Sequence, residues 1–88
     1  MIVRILAEGQ YDVDGATLDA IHRLDDEVMQ AIMNNDAGRF HALYGKLVAL
    51  ARTGRRIEPH EFAESDIILP AADTSLAEAK KLFSGTID

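Results

Sequence analysis

The chain has 88 residues, 48% of them hydrophobic and 27% charged, with a formal net charge of -6 and no cysteine. That length admits one small domain, residues 1–88, which should bury about 60 to 65% of its unfolded surface. The missing cysteines exclude disulfides and thiolate chemistry, and the negative charge argues against a general nucleic-acid binder, which needs a positive field.

The opening MIVRILAEGQYDV alternates: Val3 and Ile5 point to one face of a strand, and Ile2, Arg4 and Leu6 to the other. The alternation resumes at Gln10-Tyr11-Asp12-Val13, so the segment is expected to be a hairpin with its turn at Glu8-Gly9, where Gly9 accepts a positive φ. The run is interrupted by Arg4 and Glu8 and is expected to be neither a signal core nor a membrane span. From Asp14 the period lengthens. Leu18, Ile21, Leu24, Val28, Ala31 and Ile32 form the stripe of a helix that Asp14 caps and that ends near Asn34-Asn35. A second helix, capped by Asn35 or Asp36, carries Phe40, Leu43, Tyr44, Leu47, Leu50 and Ala51 and stops at Gly54. So short a connection makes the pair an antiparallel αα-hairpin.

After Arg55-Arg56 the stretch IEPHEFAESD has no period and is expected to be a surface connection. Ile67-Ile68-Leu69 is then expected to be a short buried strand stopped by Pro70. Ser75 with Glu78 makes a capping box for a closing helix carrying Leu76, Ala79, Leu82 and Phe83 and ending at Gly85. The order β-β-α-α-β-α predicts a small two-layer α+β domain, a short sheet packed against the αα-hairpin and a C-terminal helix.

No motif assigns a reaction. His22, His41 and His60 lack the paired spacing of a metal site, a lone Gly9 is no phosphate loop, and neither catalytic residues nor a bound cofactor or metal are expected. Asp25 falls on the apolar stripe of the first helix, where a charge needs a donor; Tyr44 on the facing helix, or backbone amides of a neighbouring element, is expected to supply one. Asp25, Tyr44 and Gly9 are therefore candidates for structural roles. Charge is blocked along the chain: acids dominate Glu8 to Asp36, whereas Arg39, Lys46, Arg52, Arg55 and Arg56 stand without an acid among them. Arg52, Arg55 and Arg56 are accordingly candidates for a partner surface. So are Ile2, Arg4 and Leu6, because helices on one side of the sheet leave this side of the first strand to a homo-oligomer or another protein.

The segments MIVRILAEGQYDV, LDAIHRLDDEV and SDIILPAADTSLAEAKKLF together resemble the PspA-associated protein family, PspAA, small prokaryotic proteins found with the phage-shock protein PspA. The likeness runs over nearly the whole chain and is strongest at EGQY and DIILPAADTSL. Where the family pattern often has Gly before Glu-Gly and Pro near the first helix, this chain has Ala7 and Asp14-Gly15. The resemblance implies a cytoplasmic, non-enzymatic adaptor or modulator in the bacterial or archaeal envelope stress response, without cofactor. Its partner would be PspA, a coiled-coil protein that assembles on membranes, so that membrane contact is indirect. The alternative is a small-molecule or nucleotide sensor with its pocket near the N-terminal hairpin, between the helical hairpin and EGQY.

Overall fold

The computed structural model describes residues 1–61 and 63–83, apart from the side chains of Leu82 and Phe83. Its elements in order are β1 (Ile2–Ile5), β2 (Gly9–Asp12), α1 (Gly15–Met33), α2 (Ala37–Ala51), β3 (Arg55–Ile57), a 3-10 turn (Pro59–Glu61), β4 (Ile67–Leu69) and α3 (Leu76–Phe83). The sheet order is β3-β2-β1-β4, antiparallel except for the parallel β1–β4 pair. The α+β domain is as expected, with β3 added. The expected end of the last helix at Gly85, and the faces of Leu82 and Phe83, lie outside the described residues.

Helix boundaries follow local chemistry. Asp14 caps α1 by accepting a hydrogen bond from the Thr17 amide at 2.7 Å. At the other end Asn35 takes the left-handed conformation, φ 55°, while its amide and that of Asp36 donate to the carbonyls of Ile32 and Ala31. That pairing closes the last turn of α1 and leaves Asp36 free to cap α2 through the Arg39 amide at 3.1 Å. Ser75 and Glu78 form the expected reciprocal box at the start of α3, with Glu78 N–Ser75 Oγ at 3.1 Å and Ser75 N–Glu78 Oε1 at 3.2 Å.

The hairpin turn lies one step earlier than expected. Gly9 is already paired with Ile5, and the Glu8 amide donates to the Ile5 carbonyl at 3.0 Å, so Leu6, Ala7 and Glu8 make the loop. Ala7 carries the left-handed conformation, φ 67°, at a cost of about 1 kcal/mol.

One face of the sheet supplies the core. Val3, Ile5, Tyr11 and Leu69 pack there with Ile21 and Val28 of α1, Phe40, Tyr44 and Leu47 of α2, and Ala79 of α3. Phe40 and Tyr44 stack with ring centroids 5.5 Å apart. Across the opposite face the register lines up Ile68, Arg4, Gln10 and Ile57 in one row. The connection from β3 to β4 joins the two edges of the sheet across this second face, where Gln10 Nε2 donates to Ala63 O at 2.7 Å and Ser65 Oγ at 2.8 Å.

Candidate functional site

The connection covers only half of the second face. Gln10 and Ile57 beneath it are buried, whereas Leu6 is 43% and Ile68 61% exposed, with Arg4 exposed between the flanking strands and Ile2 half-buried. Three of the sequence candidates, Ile2, Arg4 and Leu6, therefore belong to one surface, and β4 adds Ile68, which the sequence reading treated as part of a buried strand. In solvent such an apolar strip on the outer half of a sheet is a surface that association would shield.

The three candidate arginines do not form a second surface of free charge. Arg52 holds the Glu8 carboxylate with two donors, Nε at 2.8 Å and a guanidinium nitrogen on the other oxygen. Arg55 pairs with Glu61 at 3.2 Å, and Arg56 lies 5.9 Å from the Tyr11 ring centre and donates to the Glu8 carbonyl at 3.4 Å. Arg52 ties the end of α2 to the hairpin and Arg55 ties β3 to the connection, whereas Arg56 has no carboxylate partner among the described residues.

Glu8 is the centre of this arrangement, since Tyr11 Oη also donates to its carboxylate at 2.8 Å. The Arg52 hydrogen bonds, followed by that from Tyr11, lower the Glu8 pKa from 4.5 to about 2. A depressed carboxylate pKa stabilises the fold fully above the unfolded value of 4.5, and the contribution is lost as pH falls towards 2. Thermal midpoints of the wild type and of Arg52→Gln are thus expected to differ at about pH 6 and to converge by about pH 2. A difference unchanged across that range would show that Arg52 acts through packing alone.

Gly9 lies inside β2 rather than in the turn: at φ 152° it adopts a conformation that side chains rarely take, and a Cβ would lie 3.3 Å from Arg56. Asp25 and Tyr44 do not form the expected bond. Tyr44 Oη donates to the Pro70 carbonyl instead, and Asp25 is half-buried without a hydrogen bond among the described residues. Burial first, then the Asp26 charge, raises the Asp25 pKa, so its carboxylate is a burden on the helix pair and not an anchor.

A cleft of about 370 Å³ opens beside the strip, lined by Arg4, Glu8, Gln10, Arg56, Ile57 and Pro59 among others. It touches EGQ on the side of the sheet away from the helices, whereas the sequence reading looked for a pocket on the helical side. Among the described residues no group of three or more His, Asp or Glu could hold a metal ion, and no helix is long and apolar enough to cross a membrane. No curated protein and no solved structure matches the chain. The family model described as PspA-Associated protein matches residues 1–87, and the chain accordingly belongs to the PspA-associated family.

Proposed function

We propose that the chain is a non-enzymatic adaptor of the envelope stress response, working in the cytoplasm, that binds a PspA-like coiled-coil partner through the uncovered half of its sheet. The observation that carries this reading is the strip formed by Leu6 and Ile68 on either side of Arg4. The family description supplies the class of partner. A helix of a coiled coil presents apolar and acidic side chains along one line, and such a line meets both the aliphatic pair and the guanidinium between them. Membrane contact is then made by the partner.

Co-sedimentation of the purified chain with PspA tests the reading. Leu6→Ser with Ile68→Ser is expected to weaken the complex by at least about tenfold while leaving the fold intact, because neither side chain is in the core. A complex unaffected by the double substitution would remove this surface from the proposal, and no complex with the wild type would remove the adaptor role.

A further inference from the structure

Two arginines of the cleft have no acidic partner. Arg52 and Arg55 each lie within 3.2 Å of a carboxylate, but Arg4 and Arg56 have none within 4.0 Å among the described residues. Their contacts to protein are long ones, Arg4 Nε to Ser65 Oγ and Arg56 to the Glu8 carbonyl, both at 3.4 Å. The acid that lines the same cleft, Glu8, is already matched: Arg52 occupies both of its oxygens and Tyr11 one of them. In a chain of net charge -6, two of the arginines that line this cleft therefore have no ion pair among the described residues.

The walls are built to hold those charges in place. Gln10 is buried, and its amide is fixed by Ala63 O and Ser65 Oγ, so the floor between Arg4 and the connection is set before anything binds. Arg56 is steadied over the Tyr11 ring. Ile57 and Pro59 supply an apolar side. A carboxylate brings one negative charge, whereas a phosphate monoester brings about 1.5 to 2 near pH 7 and three acceptor oxygens for forked donors.

We infer that this cleft is a binding site for the phosphate group of a small organic phosphate monoester, held by Arg4 and Arg56, with the organic part along Ile57 and Pro59. The inference needs no protein partner, although it shares Arg4 with the surface proposed for one.

Amide-resolved NMR titration of the purified chain, at fixed ionic strength, with inorganic phosphate, glycerol 3-phosphate and succinate tests it. Saturable shifts centred on Arg4, Gly9, Gln10 and Arg56 are expected with both phosphates, tighter for the ester, and weakened about tenfold by either Arg4→Gln or Arg56→Gln. Unperturbed amides elsewhere in each single variant show that the fold is retained. Absence of saturable shifts with the phosphates, or shifts indifferent to both substitutions, would overturn the site. Succinate binding as tightly as glycerol 3-phosphate would overturn the assignment to phosphate.

Discussion

Gly54→Ala is expected to cost about 3 kcal/mol or more, at or beyond the upper end of overpacking changes. An added Cβ would stand 2.5 Å from the Asp12 carbonyl oxygen, 2.8 Å from Val13 Cγ1 and 2.9 Å from the Asp12 carbonyl carbon. Two of those atoms are backbone, and Asp12 is paired with Ile2 on one side and Arg55 on the other, so the strand cannot retreat without breaking its ladders. A domain of this length has a total stability of about 4 to 13 kcal/mol, which makes the loss a large fraction. Gly45→Ala provides the comparison. Nothing lies within 4 Å of a Cβ there, and alanine in the middle of α2 should stabilise by about 0.5 to 1 kcal/mol. Urea denaturation of both variants reads the contrast; a Gly54→Ala protein as stable as the wild type would show that the turn after α2 does not approach β2 this closely.

Gly54 also shows how sequence information divides. Its place after an apolar stripe marks a helix end, and that much is local; its contact with Asp12 joins positions far apart in the chain and leaves no trace in periodicity. The same division runs through the molecule. The three helices and their caps at Asp14 and Ser75 were legible, and the second cap was narrowed to Asn35 or Asp36, because each depends on residues within four positions. The strand β3 was not, because Arg55-Arg56-Ile57 offers a single apolar side chain, and its pairing with β2 only becomes visible once the αα-hairpin has brought it there. The turn was misplaced because Ala7 takes the left-handed conformation in the loop, while Gly9, whose φ is positive as expected, already lies in the strand.

For the site, the outward alternation of Ile2, Arg4 and Leu6 was readable and the coverage of their neighbours was not. The connection carries no period, yet its backbone and Ser65 satisfy the buried Gln10 amide, and this decides which half of the sheet stays open. Likewise the charge blocks were real in sequence but misleading as to use. Glu8 lies 44 residues before Arg52, so their bond converts an apparent acidic block and an apparent basic block into one internal cluster.

Tyr44→Ala is expected to cost about 3 to 5 kcal/mol, since it removes a ring that is 2% exposed and stacked on Phe40. Tyr44→Phe isolates the hydroxyl. It keeps the stack but leaves the buried Pro70 carbonyl without the donor described above, at an expected cost of about 1 to 2 kcal/mol. The bond matters because Pro70 directly follows β4, the edge strand that pairs in parallel with β1; Tyr44 is thus a tie between the helical hairpin and the parallel edge. Asp25→Asn separates this tie from the competing idea that the acid is the anchor. Because the folded pKa of Asp25 is raised, its carboxylate weakens the fold as pH rises above the unfolded value, and protonation at lower pH relieves that effect. The amide should therefore leave the protein at least as stable at neutral pH, with any gain fading as the solution is acidified. Denaturation midpoints of the two conservative variants at pH 7 decide between them: Tyr44→Phe should fall and Asp25→Asn should not. A fall in both variants would mean that the hydroxyl serves Asp25, and an unchanged Tyr44→Phe would mean that the Pro70 carbonyl finds its donor elsewhere.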